Sequence, residues 1–163
     1  MPSEIVIKCS KALSLKKWNI AFAESVTAGR MSAEFSLTEN SGTILRGGIV
    51  CYEEFVKIQL LHVPYTLIEK FTAESAEVTQ QLAHQAAKIF NSKITAAVTG
   101  LASPGGSETK EKPVGTIFFH IVTPFGAAQH REIFHGSPED IILQAVDKTA
   151  EIILRVIEND AAL

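Results

Sequence analysis

The stretch Asn19-Ile-Ala-Phe-Ala-Glu-Ser-Val-Thr-Ala-Gly-Arg30 changes character halfway along. Asn19 to Ala23 is short and apolar, as a strand buried on both faces requires. The polar segment Glu24-Ser-Val-Thr-Ala-Gly-Arg30 follows at once, and Met31, Phe35 and Leu37 then return at helical spacing. Strand, polar turn and helix in that order form the unit from which parallel sheets are built.

The same alternation extends in both directions. Upstream, residues 3–17 predict an amphipathic helix capped by Ser3, with Ile5, Cys9, Ala12, Leu13 and Leu15 as its apolar stripe. Downstream, residues 43–52 read as a strand containing the pair Gly47-Gly48, which permits close backbone approach. Short helices are expected over 54–60 and after Pro64. Ser75 to Phe90 predicts a longer helix with Val78, Leu82, Ala86, Ile89 and Phe90 on one side. Lys93 to Val98 is a further strand, and 101–113 a polar loop. Strands from Pro113 to Val122 and from Ala127 to Phe134 are expected to pair antiparallel across Pro124-Phe-Gly126. Ser137-Pro-Glu-Asp140 is a strong helix start, and Ile142, Ala145, Val146, Thr149, Ile153 and Ile157 continue it to near the C-terminus. The result is an α/β chain with a mixed, mostly parallel sheet covered on both faces, without repeat or linker.

Composition narrows the function classes. The 163 residues are 46% apolar and 20% charged, with a formal charge of −3 and no basic run, so a nucleic-acid surface is not expected. Cys9 and Cys51 stand apart from each other and from any histidine at ligand spacing, so no metal site is expected and two reduced thiols are. No signal peptide or membrane span is legible, which points to a cytoplasmic protein.

Three polar segments follow strands: Glu24–Gly29, Tyr52–Lys57 and Thr99–Gly106. Ligands collect at the carboxyl ends of strands in such sheets. Ser25 reads either as a helix N-cap or as a nucleophile if a base reaches it. The amides at that junction are candidate donors to an anion or oxyanion. Lys57 is either an exposed lysine or a buried amine with a lowered pKa that takes a proton, with Tyr52 orienting or relaying. Thr99-Gly-Leu-Ala-Ser-Pro-Gly-Gly106 is either an ordinary surface loop or an amide cradle for a phosphate.

Taken together the segments resemble the CinA C-terminal domain family. Ala23-Glu-Ser-Val-Thr-Ala-Gly29 is similar to its A-E-S-C-T-G-G, Gly47-Gly-Ile-Val-Cys-Tyr52 to G-G-V-x-x-Y, and Lys57-Ile-Gln-Leu-Leu-His-Val-Pro64 to K-x-x-L-L-G-V-P. Val98-Thr-Gly-Leu-Ala-Ser-Pro-Gly-Gly106 and Glu111-Lys-Pro-Val-Gly-Thr116 resemble V-T-G-I-A-G-P-G-G and E-K-P-V-G-T. Five blocks in one order span nearly the whole chain, which reads as a single stand-alone domain over 1–163.

The resemblance implies a three-layer α/β/α sandwich and an amidohydrolase that converts nicotinamide mononucleotide to nicotinate mononucleotide and ammonia, without metal or other cofactor. It implies Ser25 as nucleophile, Lys57 as base and Tyr52 as proton relay or positioner. It places Thr27, Ala28, Gly29, Gly48, Thr99, Gly100, Ser103, Gly105 and Thr116 around the nucleotide, and implies self-association. The chain departs from the family at Val26, Ala28 and Ser103, and over Glu53, Glu54, Phe55 and Val56, where the family reads S-N-E-A. Glu54 would put negative charge beside Lys57 and raise its pKa. These departures keep a nucleotide-binding module without turnover in view, and the resemblance to CinA suggests a further reading, a competence-associated interaction protein.

Overall fold

The computed structural model describes residues 1–161. Its elements run α1 (Glu4–Lys16), β1 (Ile20–Glu24), α2 (Arg30–Ser36), α3 (Ser41–Ile44), β2 (Leu45–Val50), α4 (Glu54–Gln59), α5 (Tyr65–Phe71), α6 (Ala76–Phe90), β3 (Ile94–Gly100), β4 (Thr116–Thr123), β5 (Gly126–Ile133) and α7 (Pro138–Ala161). The strands form one sheet in the order β2-β1-β3-β4-β5. β1 pairs parallel with β2 and β3, whereas β4 runs antiparallel to both β3 and β5.

Alternation along the strands divides the core into two layers. Ile20 and Phe22 of β1, with Ile94, Ala96 and Val98 of β3, pack against α1, α2 and α7. Ala23 and Ala97 face the opposite way, against α5, α6 and the segment around Leu61 and Val63. This is the three-layer α/β/α arrangement with a mixed sheet.

Local chemistry sets the helix starts. Ser3 Oγ accepts from Val6 N at 3.4 Å, and Ser75 Oγ accepts from Val78 N at 3.3 Å. At α7, Ser137 Oγ accepts from Asp140 N while Asp140 Oδ2 accepts from Ser137 N, a reciprocal cap that leaves Pro138 at the first helical position.

Four expectations shift. The strand expected over 43–52 is shorter, because Ser41–Ile44 first makes one helical turn. In α1, Val6 takes the core position and Leu15 is exposed; in α6, Ile89 is exposed. In α7, Ile141 enters the core in place of Ile142. The glycine pair in β2 acts as expected, since a Cβ on Gly48 would lie 2.4 Å from Ser32 Oγ. Cys9 and Cys51 are free and buried. No helix among the described residues is long and apolar enough to cross a membrane.

Parallel pairing puts three strand ends side by side: Glu24 registers with Val50 on one side and with Val98 on the other. The chain leaves β1 toward β2 at one flank and returns as β3 at the other. The crevice beyond Glu24 is therefore the topological switch point of the sheet, where ligands bind in open α/β folds.

Candidate active site

Glu24 closes β1 and is fully buried. Its Oε2 accepts from Thr27 Oγ1 (2.8 Å), Gly29 N (3.0 Å) and Met31 N (2.9 Å), and its Oε1 from Ser32 N (2.8 Å) and Ser32 Oγ (2.6 Å). One carboxylate thus satisfies the donors at the start of α2, which has no cap of its own from Gly29. The α2 amides expected to meet an anion are already engaged. Of the turn between β1 and α2, the Val26 and Thr27 amides donate to no protein acceptor among the described residues.

That turn holds Ser25 in place. Ser25 N donates to Val98 O at 3.0 Å, and Ala28 N donates to Ser25 O at 3.1 Å. Ala28 adopts φ 46° and Gly29 φ 94°, so two consecutive left-handed residues make the bend. The strain at Ala28, where the family has glycine, costs about 1–2 kcal/mol.

Lys57, on α4, is 1% exposed and reaches back under the β2 end. Its Nζ lies 3.0 Å from Ser25 Oγ, 2.5 Å from Cys51 O and 2.9 Å from Tyr52 O. As an ammonium it donates to all three oxygens. As a neutral amine it keeps two N–H bonds for the carbonyls and turns its lone pair to the Ser25 hydroxyl. Burial holds its pKa below the usual lysine range, against the opposing pull of Cys51, Glu74 and Glu54. Glu54 does act as its position implies, but desolvation outweighs it.

Above Ser25 opens a cleft of about 360 Å³. Val26, Ala28 and Tyr52 form one wall, Gly100 to Gly106 another, and Glu74, Pro138 and Ile142 complete it. Of the expected site residues, Ser25, Ala28, Tyr52, Gly100, Ser103 and Gly105 meet here. The Tyr52 side chain is 68% exposed, and it is the Tyr52 carbonyl that holds Lys57; the hydroxyl makes no hydrogen bond to Ser25 or Lys57.

Other expected residues serve as supports. The Thr27 hydroxyl and Gly29 amide are bound to Glu24, and Gly48 lies behind Ser32. Thr99 Oγ1 pairs with Thr79 Oγ1 on the α6 side at 2.8 Å, and Thr116 Oγ1 donates to Pro113 O at 2.6 Å. None of these five lines the cleft. Sequence reasoning passed over Glu24, although a carboxylate ending a wholly apolar strand is a signal that it caps something. It also passed over Glu74, which arrives from a distant segment without a local mark, and took Pro138 only as a helix start.

The loop itself is fastened at its base. Lys112 Nζ donates to Thr72 Oγ1 (2.6 Å), Ser107 Oγ (2.8 Å) and Glu74 O (3.0 Å), and Ser107 Oγ donates to Glu74 Oε2 (2.5 Å). At its tip Gly105 N and Gly106 N donate to Glu108 Oε1 and Oε2, each at 2.8 Å.

Known proteins share this fold. The family model of the CinA C-terminal domain matches residues 3–157. A CinA-like protein of Prochlorococcus marinus (strain MED4) is 36% identical over 82% of this chain and 31% of its own length. Another from Desulfotalea psychrophila is 34% identical over 92% of this chain and 36% of its own. The chain thus spans about a third of the length of such relatives. Among solved structures, a competence-damaged (CinA) superfamily protein of Klebsiella pneumoniae superimposes with a TM-score of 0.90 at 23% identity, covering 96% of this chain and 97% of that one. A competence or damage-inducible protein of Enterobacter asburiae gives 0.88 at 25% identity, covering 94% and 96%. On the match over residues 3–157, together with the shared fold, the chain belongs to the CinA C-terminal domain family.

Proposed function

We propose that the chain is an amidohydrolase that converts nicotinamide mononucleotide to nicotinate mononucleotide and ammonia. The observation that carries the reading is the buried Lys57 amine 3.0 Å from the Oγ of Ser25, which itself lines a cleft at the sheet's switch point. A buried lysine with a lowered pKa is suited to take a serine proton.

The steps balance as follows. Ser25 Oγ attacks the carboxamide carbon as its proton passes to Lys57 Nζ. The carbonyl oxygen becomes an oxyanion, for which the unengaged amide of Val26 in the cleft wall is the candidate donor. The lysine proton moves to the amide nitrogen, the C–N bond breaks, and ammonia leaves. Water then attacks the ester, giving a proton to Lys57, which returns it to Ser25 Oγ as the acid departs. The pyridinium ring makes the carbonyl electrophilic, and the Tyr52 ring, which lines the cleft, is suited to meet its positive charge.

Chromatography of nicotinamide mononucleotide incubated with the protein tests this reading. Nicotinate mononucleotide is the expected product. Saturable binding of the nucleotide with no product would instead identify a binding module that keeps the pocket without the reaction.

A further inference from the structure

A substrate phosphate has no side-chain cation to meet in this cleft: no lysine, arginine or histidine is among its lining residues, and Glu74 is. The uncharged donors left for an anion are hydroxyls, of which Ser103 lies on the loop, and backbone amides. The α2 amides belong to Glu24, and those of Val26 and Thr27 sit beside Ser25, at the chemistry end. At the loop end, Gly105 and Gly106 present two consecutive N–H groups, and both already hold an anion, the bidentate Glu108 carboxylate.

This arrangement has the stereochemistry of a phosphate site. Two parallel N–H bonds to two oxygens of one planar or tetrahedral anion suit carboxylate and phosphate alike. Gly105 makes the bend at φ 97°, and a Cβ on Gly106 would come within 2.7 Å of Leu101 Cδ2. The loop has ties besides Glu108, since Lys112 and Ser107 fasten it to Thr72 and Glu74 next to the amide pair. Glu108 itself is exposed, so no packed neighbour has to move for its carboxylate to leave the two amides. The Gly105, Glu108 and Gly106 amides hold its carboxyl below the usual carboxylate range.

We propose that the Gly105–Gly106 amide pair is the subsite for the phosphate monoester of the substrate, and that Glu108 is an internal competitor for it. This rests on the nucleotide reading above. Glu108 lowers affinity for phosphate-bearing ligands and leaves phosphate-free ones untouched, so it sets the contrast between nucleotide and nucleoside.

The test uses ¹⁵N-labelled protein and its Glu108→Ala variant, titrated with inorganic phosphate. A competitor holding its site nine-tenths of the time weakens apparent affinity about tenfold. Phosphate is therefore expected to move the Gly105 and Gly106 amide resonances in both proteins, with the midpoint about tenfold lower in the variant. In turnover, KM for nicotinamide mononucleotide falls by the same factor, while KM for nicotinamide riboside does not. Equal phosphate midpoints in the two proteins, or shifts confined to other amides, would overturn the proposal. If neither nucleotide nor riboside is hydrolysed, the phosphate titration still decides it, so the two readings fail separately.

Discussion

Lys57 sits under opposing influences: burial favours the neutral amine, while Cys51, Glu74 and Glu54 favour the ammonium. If it is the base, kcat/KM rises with pH along an acidic limb whose midpoint lies below the ordinary lysine pKa of about 10.4. Glu54→Asn removes one of the groups that raise that pKa, so the limb moves to lower pH; a limb that stays in place would show that another group titrates. The stability consequence has a definite sign. Native Lys57 binds fewer protons than the unfolded residue between its lowered pKa and about 10.4, so its contribution to stability improves as pH rises through that window. Ala28 offers a separate check. Its left-handed backbone is relieved in Ala28→Gly, which should gain about 0.5–1 kcal/mol in urea unfolding. Tyr52→Phe keeps the carbonyl that holds Lys57, and turnover within about threefold of the parent is expected, a change of under 1 kcal/mol in barrier. At this level Ser25 and Lys57 were legible as residue types, yet their 3.0 Å approach was not, because it depends on pairing between strands far apart in sequence. The engagement of Glu24 was likewise invisible, since its five partners converge only when α2 turns back over β1.

Helix α2 begins on a carboxylate supplied by the strand before it, so β1, the turn and α2 are stabilised as one unit. Glu24→Ala would leave several buried donors unpaired at about 1–3 kcal/mol each, and a loss of about 3 kcal/mol or more is expected in urea unfolding. A loss under 1 kcal/mol would mean that water replaces the carboxylate without cost. Between α6 and β4, His120 is 3% exposed, and neither ring nitrogen has a partner among the described residues. Burial, with His84 beside it, lowers its pKa. The unfolded residue therefore takes up a proton first, and stability falls as pH drops from about 6.5 through the lowered value. Stability curves of His120→Phe should be flatter across that range than those of the parent. Helices α6 and α7 were legible because their caps are local, Ser75 to Val78 and Ser137 to Asp140. The start of β2 was not, since Thr43 and Ile44 suit a strand by composition but complete a helical turn from Ser41. Ile142 fits the helical stripe by spacing, but the stripe is wide enough that Ile141 packs in the core while Ile142 faces the cleft.

Across the whole molecule, strand order decides where chemistry can occur. The alternation of strands and helices made a covered, mostly parallel sheet legible, and the late hairpin made it mixed. The order β2-β1-β3-β4-β5 was not contained in that pattern, and it is this order that sets the ends of β1, β2 and β3 side by side. The site therefore draws on residues from 25 to 142, joined by the sheet rather than by proximity in sequence. Its central pair makes a sharp claim about rate. Losing the nucleophile of such a unit costs about 10³-fold or more in kcat. Ammonia release from nicotinamide mononucleotide, followed for the protein and for Ser25→Ala side by side, tests the claim most directly. The account predicts steady turnover by the parent and a loss of at least about 10³-fold in the variant. Turnover that survives the substitution nearly intact would contradict it, because the reacting oxygen would then not be that of Ser25.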